Sequence, residues 1–292
     1  MTAIKYGIYL PNFGPYGSAR RLAELAQRAE QAGWDGFFIW DHLTRSWLTE
    51  VADPFVSLSA AAMLTDHIHL GALITPLPRR RPWKVARETV TLDHLSKGRL
   101  IIGVGIGSSG GTDVEWGNFG EEMDLKKRAH MLDEGLQILC GLWSGQPFAF
   151  SGRHYTIKKS QFLPPPHQSP RIPIWVAGNW PNKAPFRRMA RWDGMIPQTS
   201  PHIDDDIDQL KAAVDFTLSQ RAGNAPFDVA YAVKPLGLGS APEGKDQAAA
   251  YHAAGITWLL EQIYPEHFGS SWQEEWPLEK MTAYISRGPL AR

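Results

Sequence analysis

Two adjacent residues, Asp41 and His42, are the clearest candidates for chemistry in this sequence. A carboxylate beside an imidazole can orient the ring, fix its tautomer and support proton transfer near neutral pH. The pair directly follows an apolar run at residues 36–40, which predicts a buried strand. Catalytic groups of parallel barrels lie at the carboxyl ends of strands. We therefore expect His42 and Asp41 to be catalytic, the alternative being a polar pair on the rim of the sheet.

Two stretches of small residues could bring backbone N–H groups close to an anionic ligand. The first contains Gly105, Gly107 and Ser108 and matches GxGxxG literally. A polar loop at residues 108–122 follows it, in place of the helix that a dinucleotide-binding fold requires. The second stretch, with Gly178 and Asn179, precedes a predicted helix, whose amino terminus attracts anions. We predict a phosphate contact at both stretches, with a flexible loop as the alternative for the first.

Arginines and histidines elsewhere have weaker claims to function. Arg79, Arg80 and Arg81 are consecutive, and they form either a second contact for an anion or a solvated turn. His67 and His69 match the HxH metal motif of barrel hydrolases, but they open a predicted strand and so lie away from the ligand-binding end. We expect both histidines to be structural and no metal to be bound.

The strand, helix and strand that surround these arginines form one complete unit at residues 67–107. An apolar run at residues 68–75 predicts a buried strand. Pro82 is typical of a first helical residue, and Val85, Thr89 and Leu92 recur on one helix face. Gly98 ends that helix, and a second apolar run follows at residues 100–104. Because such crossovers are right-handed, the two strands are parallel.

The same alternation of strand and helix continues along the chain. Eight strands are predicted, each followed by a helix, at residues 4–10, 36–40, 68–75, 100–104, 172–177, 194–197, 229–234 and 256–262. This number predicts a (β/α)₈ TIM barrel, with a doubly wound open sheet as the alternative. Residues 108–170 interrupt the pattern with a polar loop, a long helix from residue 123 to 143, a small hairpin and a proline-rich segment. We predict one domain over residues 1–292, with an insertion after the fourth strand.

Composition limits the class of protein. Lys plus Arg and Asp plus Glu both number 30, giving a formal charge of +0. This balance argues against a nucleic-acid or membrane-surface partner. Cys140 is the only cysteine, so no intrachain disulfide can form. No apolar run has the length of a signal peptide or a membrane-spanning helix, and we expect a cytoplasmic protein.

Several long motifs together resemble the bacterial luciferase-like family of flavin-dependent and deazaflavin-dependent oxidoreductases. They include AEQAGWDGFFIWDHL, HLGALITPLPRRRPWKVARETVTLDHLSKGRLIIGVGIG, EWGNFGEE, RAHMLDEGLQILCGLWSG and FSGRHYTI. These matches occur in family order within residues 1 to about 200. The family fold is a (β/α)₈ barrel with an insertion, in agreement with the strand count.

The resemblance implies that a flavin or deazaflavin ring lies in the mouth of the barrel. The family often has a cis peptide bond behind the ring, which falls at Leu73–Ile74 here, and His42 matches its active-site histidine. The cofactor-binding residues implied are Leu73, Ile74, Thr75, Gly105, Gly107, Ser108, Gly178, Asn179 and Trp180. Asn12, Trp40 and Trp47 are the expected substrate-pocket residues, although Trp47 is one residue out of register with the tryptophan of the deazaflavin branch.

Two departures narrow the activity that the resemblance implies. Sugar-phosphate dehydrogenases of the family carry glutamates where this chain has Asn12 and Ser108, which argues against sugar-phosphate oxidation. Luciferases themselves carry a phosphate-binding arginine where this chain has Ile106, which argues against light emission.

The leading hypothesis is a monooxygenase that uses reduced FMN and oxygen on a small organic substrate, with a separate flavin reductase as partner. The first alternative is hydride transfer with the deazaflavin coenzyme F420, whose acidic tail would suit Arg79, Arg80 and Arg81. A second alternative is a non-catalytic flavin-binding protein, and a third is a metal-dependent barrel hydrolase. The resemblance also implies a homodimer formed through the outer helices.

Overall fold

A parallel sheet organises the computed structural model, which describes residues 3–47, 49–107, 112–198 and 206–290. In chain order its strands are β1 (Lys5–Leu10), β2 (Gly36–Ile39), β3 (His69–Ala72), β4 (Thr75–Pro76), β5 (Ile102–Gly105), β6 (Phe148–Ser151), β7 (Thr156–Ser160), β8 (Ile174–Asn179), β9 (Gly194–Gln198), β10 (Asp228–Val233) and β11 (Trp258–Gln262). Strands β6 and β7 form a separate antiparallel hairpin, and the other nine form the main sheet.

The main sheet curves into a nearly closed barrel. Its order is β3-β2-β1-β11-β10-β9-β8-β5-β4. Strands β3 and β4 are two parts of the single strand predicted at residues 68–75, separated by a cis peptide bond between Leu73 and Ile74. Leu70 bridges to Leu100, and Thr75 pairs with Val104, so the two ends of the sheet adjoin. With β3 and β4 counted as one strand, the barrel has eight parallel strands, which confirms the predicted (β/α)₈ barrel.

Helices cover the outside of the barrel, with one exception. The helices are α1 (Ala19–Gln31), α2 (Pro54–Leu64), α3 (Pro82–Leu95), α4 (Thr112–Glu115), α5 (Leu125–Trp143), α6 (Lys183–Met189), α7 (Ile207–Ser219), α8 (Ala241–Ala253) and α9 (Leu278–Arg287). The exception is α4, which lies in the insertion beside a cavity. Asp124 caps α5, so that helix begins after the residue predicted from periodicity. The sequence predicts a helix around residues 245–253, but α8 starts four residues earlier, because Ser240 and Glu243 form a capping box.

Side chains fill the interior of the barrel below its carboxyl edge. Phe38, Trp175 and Trp258 contact one another there with ring centroids 5.4–5.6 Å apart. Gly36 lies against this layer, since a Cβ at that position would approach the Phe38 ring to 2.3 Å. His69 packs its ring against Trp258 at the opposite end from the ligand-binding edge. The filled interior leaves space for a ligand only above the strands.

The inserted segment differs from the polar loop predicted at residues 108–122. It contains the short helix α4 and a 3-10 turn at Gly117–Phe119. Trp116 is the physical reason, because its side chain is buried and draws the segment onto the barrel. The long helix and the hairpin of the insertion occur where they were predicted. Within the described ranges, no helix has the length and apolar character needed to span a membrane.

Candidate active site

A cavity of about 480 Å³ opens at the carboxyl ends of the barrel strands. Its volume lies within the usual range for small-molecule sites. Nine of the residues singled out from the sequence line this cavity, namely Trp40, Asp41, His42, Leu73, Ile74, Gly105, Gly107, Gly178 and Asn179. They come from four different strands or the loops that follow them. The barrel thus brings together residues that are up to 139 positions apart in the chain, from Trp40 to Asn179.

Other residues singled out from the sequence lie elsewhere. Asn12 and Thr75 are buried outside the cavity wall, and Trp47 packs beside Phe13 with ring centroids 6.0 Å apart. Trp180 packs on Phe186 and Phe216 in the surrounding helices. Ser108 lies outside the described residues.

His42 is paired with a carboxylate that sequence reasoning missed. Its Nδ1 lies 3.1 Å from both carboxylate oxygens of Glu115, which is the last residue of α4. Glu115 also accepts a hydrogen bond of 2.7 Å from the backbone N–H of Leu43. The EWGNFGEE motif begins at Glu115, but only the folding of the insertion onto the barrel brings this residue to His42.

The Glu115 carboxylate is ionised at neutral pH. Burial opposes its ionisation, but the hydrogen bond with His42, the charges of His42 and Arg79 and the N–H of Leu43 lower the pKa to about 2. An ionised carboxylate can only accept a hydrogen bond, so the proton between the two side chains resides on Nδ1 of His42. The other ring nitrogen, Nε2, is then the acceptor of the neutral ring, and Nη1 of Arg45 lies 3.2 Å from it.

Asp41 does not fill the role of orienting carboxylate predicted for it. Its side chain is only 1% exposed and binds two arginines instead. Arg80 donates to both carboxylate oxygens, at 3.0 and 2.7 Å, and Arg79 donates at 3.2 Å. Successive residues in extended chain point in opposite directions, so adjacency in sequence does not place the carboxylate of Asp41 on the imidazole of His42.

The arginine run is largely neutralised by acidic side chains. Arg79 is 5% exposed and lies between Asp41 and Glu115, with 3.5 Å to the latter. Burial disfavours the charge of Arg80, but Asp41 more than offsets this and raises the pKa of Arg80. Neither a solvated turn nor a free anion contact therefore describes Arg79 and Arg80. Removing the Asp41 carboxylate would leave two guanidinium groups without their main counter-charge.

Asn12 holds the backbone of the loop that follows β2. Its fully buried amide donates 2.8 Å hydrogen bonds to the carbonyl oxygens of His42 and Ala52, and it accepts one of 3.1 Å from the His42 N–H. All of these bonds fix the loop after β2 to the loop after β1. Asn12 is thus a positioning residue for His42 and not a wall of the cavity.

Aromatic rings surround one side of His42. The imidazole lies 5.5 Å from the Phe13 ring and 5.6 Å from the Trp40 ring, measured between centroids. The guanidinium of Arg45 lies over both Phe13 and Trp47 at 4.6 Å. This wall covers one side of the imidazole, and the His42 side chain is 26% exposed.

Trp116 closes the cavity on the side of the insertion. The guanidinium of Arg128 lies 3.4 Å from the centre of its ring. Gly107 approaches the other part of the indole, and a Cβ there would come within 2.3 Å of the ring. Gly107 also has a φ of +81°, a backbone conformation that favours glycine.

The cavity fits a planar ring that carries an anionic tail. Leu73, Ile74 and Ala177 provide an apolar surface, and Gly105 and Gly178 present backbone without side chains. The polar groups lie around this surface, with Asn179, Asn182 and Arg188 on the side of β8 and α6.

Two buried polar atoms near this surface lack hydrogen-bonding partners among the described residues. They are Nε1 of Trp40, which lines the cavity and could be satisfied by a ligand atom, and the hydroxyl of Thr75, which lies behind the cavity wall.

Arg188 is the second cavity residue that sequence reasoning missed. The residue pattern of its helix predicts an exposed face, but its side chain reaches the cavity and donates to Asp133 at 2.7 and 2.9 Å. In the part of the chain that the structure describes, no three His, Cys, Asp or Glu side chains are grouped in a way that could hold a metal ion.

Known proteins with similar sequences include flavin-dependent and F420-dependent enzymes. The oxygenase component of a flavin-dependent trigonelline monooxygenase from Acinetobacter baylyi is 29% identical over 191 residues, covering 65% of this chain and 51% of that protein. An F420-dependent glucose-6-phosphate dehydrogenase from Intrasporangium calvum is 32% identical over 218 residues, covering 71% of this chain and 61% of that protein. The chain spans about half to three fifths of the length of these relatives.

The fold is also found among solved structures. An F420-dependent secondary alcohol dehydrogenase in complex with an F420–acetone adduct matches with a TM-score of 0.78 at 17% identity, and the match covers 100% of both chains. A sequence profile of the luciferase-like monooxygenase family matches residues 4–234. The profile covers more than half of the 292 residues and the barrel is the same, so this chain belongs to the luciferase-like monooxygenase family.

Proposed function

We propose that the protein is an oxidoreductase that uses reduced FMN and oxygen to oxidise, or to add oxygen to, a small organic substrate. One observation carries this proposal: the imidazole of His42, oriented by Glu115, faces a cavity whose floor is apolar and whose edge is glycine backbone. A flat cofactor fits beside an acid–base group in such a site. The flavin-dependent relative supports the same class of reaction.

The residues that would hold FMN follow from the shape of the cavity. Leu73 and Ile74 would contact the ring, and Gly105, Gly107, Gly178 and Asn179 would border the phosphate-bearing tail. Thr75 and Trp180, which the family resemblance also implies, are not among the residues that line the cavity, and Ser108 lies outside the described residues. Arg188 would add a positive charge on the phosphate side. Reduced FMN supplies the two electrons with which oxygen is activated.

The chain itself contributes proton transfer, orientation and exclusion of water. His42 would take a proton from the substrate, or return one, through Nε2, while Glu115 holds Nδ1 and stabilises the protonated ring. Asn12 keeps the backbone of His42 in place, and Phe13 and Trp40 shield the imidazole from bulk water.

Hydride transfer with coenzyme F420 is the second candidate, and the F420-dependent relative favours it. Two features of the site weigh against it. Asp41 already binds Arg79 and Arg80, which were the expected contacts for the acidic tail of that coenzyme. Trp47, the tryptophan nearest in register to that of the deazaflavin branch, lies outside the cavity wall and packs on Phe13.

We also propose a separate flavin reductase as partner, because one relative is the oxygenase component of such a monooxygenase. We further propose that the protein forms a homodimer through its outer helices and is cytoplasmic. Residues 1–292 would form a single domain.

Replacing His42 by Ala tests the proposal and separates an enzyme from a non-catalytic flavin-binding protein. Turnover would be followed by mass spectrometry under isotopically labelled oxygen, with chemically reduced FMN and a panel of small ketones, aldehydes and aromatic acids. We expect His42→Ala to lower turnover by about 10²-fold or more and to change FMN affinity by less than about threefold. His130→Ala, at an exposed position on α5, is the matched control. Unchanged turnover in His42→Ala would remove the imidazole from the mechanism.

A further inference from the structure

Three arginines line the cavity within the described part of the chain, and they differ in their counter-charges. Arg79 is paired with Asp41 and Glu115, and Arg188 is paired with Asp133. No salt bridge joins Arg45 to any carboxylate of the described residues. Arg45 is therefore the cavity cation whose charge is least compensated.

The surroundings of Arg45 fix its guanidinium in one place. The group is stacked on the rings of Phe13 and Trp47, at 4.6 Å from each centroid. Its Nη1 lies 3.2 Å from both ring nitrogens of His42, and its Nε is buried without a hydrogen-bonding partner among the described residues. Burial lowers the pKa of Arg45, and the charge of nearby Glu115 opposes this only in part. An anion drawn to this group would offset that desolvation.

We propose that Arg45 is the docking group for a carboxylate on the organic substrate, so that the substrates of this enzyme are small, flat carboxylic acids. The proposal rests on the proposed function, because it assigns the ligand of the same cavity. A guanidinium is planar and binds carboxylates with two parallel N–H bonds, which gives both affinity and a defined orientation.

The position of Arg45 decides which part of such a substrate meets His42. Because Nη1 of Arg45 touches the imidazole, a carboxylate on this guanidinium would place the adjoining carbon atoms beside His42. The faces of Phe13 and Trp40 next to the imidazole suit a flat, unsaturated or aromatic body. A substrate without a charge would leave the guanidinium uncompensated, so the site discriminates against neutral analogues.

Binding of benzoate and benzamide to the full chain tests the proposal, because the two probes share a shape but differ in charge. Isothermal titration calorimetry would measure both affinities in the presence of FMN. We expect the dissociation constant of benzoate to be about tenfold lower than that of benzamide. This is the difference in affinity that one charge-assisted contact at a half-buried site typically gives. Arg45→Gln should abolish this preference, Arg45→Lys should keep part of it, and Arg153→Gln, an exposed arginine of the hairpin, should keep all of it.

Two results would overturn the docking role of Arg45. One is equal affinity of the wild-type protein for benzoate and benzamide, and the other is an undiminished preference in Arg45→Gln. A separate FMN titration of the same proteins distinguishes these failures from failure of the proposed function. If FMN binds equally well to the wild type and to Arg45→Gln, but the wild type does not prefer benzoate to benzamide, only the proposed substrate class is wrong. If FMN does not bind to the wild-type protein, the proposed function itself fails.

Discussion

His42 is restrained on three sides by groups from different loops. Glu115 binds its Nδ1, Asn12 binds its backbone on both the N–H and the carbonyl side, and Arg45 approaches its ring. Restraint of this kind gives an acid–base group one tautomer and one position, which is what proton transfer to a bound substrate requires. The Glu115 contact is the one that controls the tautomer.

Replacing Glu115 by Gln should lower turnover by about 10²-fold and leave FMN affinity nearly unchanged. The amide keeps the shape of the side chain but removes the charge that stabilises the protonated ring of His42. Steady-state kinetics and a cofactor titration would measure the two effects, with Glu24→Gln on the exposed face of α1 as control. Loss of FMN affinity with normal turnover of the bound form would contradict this role.

The acid sensitivity of the same pair follows from the direction of its pKa shift. The pKa of Glu115 is lowered from its usual 4.5 to about 2. The contribution of this ionised carboxylate to the stability of the folded state is therefore complete above pH 4.5 and is lost as the pH falls toward 2.

Sequence alone located His42 but not its partner. The strand pattern and the motif around Asp41 predicted the histidine at the mouth of the barrel. Glu115 lies 73 positions away in an insertion, and only the burial of Trp116 brings that insertion onto the site. Periodicity carries no information about such a contact, since α4 has only four residues.

At the level of elements, the segment after β5 depends on the fit between Gly107 and Trp116. Gly107 and Gly120 both have positive φ angles, of 81° and 69°. They differ in their surroundings, because a Cβ at Gly107 would clash with Trp116 and a Cβ at Gly120 would meet nothing within 4 Å. Substitution of Gly120 therefore tests only the need for a positive φ, whereas substitution of Gly107 also tests the close contact with Trp116.

Gly120→Ala should reduce the free energy of unfolding by about 1–2 kcal/mol through the backbone alone. Gly107→Ala should cost about 1–3 kcal/mol more, because Trp116 must move, and it should also weaken FMN binding. Denaturant unfolding and a cofactor titration would measure these effects. Equal losses of stability in the two variants would show that Trp116 does not pack tightly against Gly107.

A second element-level contact joins β11 to α9 and to the turn after β10. Glu261 is fully buried, accepts a hydrogen bond from the Tyr284 hydroxyl and accepts one of 3.2 Å from the Leu236 N–H. Burial raises the pKa of Glu261 from its usual 4.5 to about 7, and the hydrogen bonds only partly oppose this. The folded protein therefore holds a proton that the unfolded chain releases.

The sign of this shift predicts a stability that is full below pH 4.5 and is lost as the pH rises through about 7. Glu261→Gln keeps an acceptor for Leu236 and should remove about 2–3 kcal/mol of that pH dependence. Denaturant unfolding at a series of pH values would test this, with Glu24→Gln as the matched control. A pH dependence that is the same in Glu261→Gln and the wild type would assign it to other groups.

The helices and strands themselves were largely predictable. The apolar stripe of Leu22, Leu25 and Ala29 and the stop at Gly33 predict a helix over residues 19–31, and α1 begins and ends at these residues with Ser18 as its cap. The strand at residues 68–75 was predicted as continuous but is divided into β3 and β4, since the backbone turns at Leu73 and Ile74. An apolar run specifies burial and not hydrogen-bond pairing, so the break could not be derived from periodicity.

At the level of the whole molecule, barrel closure places the cavity at one end. The layer formed by Phe38, Trp175 and Trp258 fills the interior of the barrel. The strands β2, β4, β5 and β8 end around the cavity above this layer. The count of eight strands was enough to predict this architecture. The substrate was not predictable, because the groups that select it, such as Arg45, lie in loops whose positions depend on tertiary contacts.

The proposed cofactor of this cavity is FMN, a flat molecule with a phosphate-bearing tail. Trp40 and Trp116 line the cavity, so quenching of tryptophan fluorescence reports its occupancy directly. Anaerobic titration of the apoprotein with reduced FMN, and separately with F420, should give a dissociation constant for FMN at least about tenfold lower than that for F420. Tighter binding of F420, or quenching by neither compound, would contradict the account.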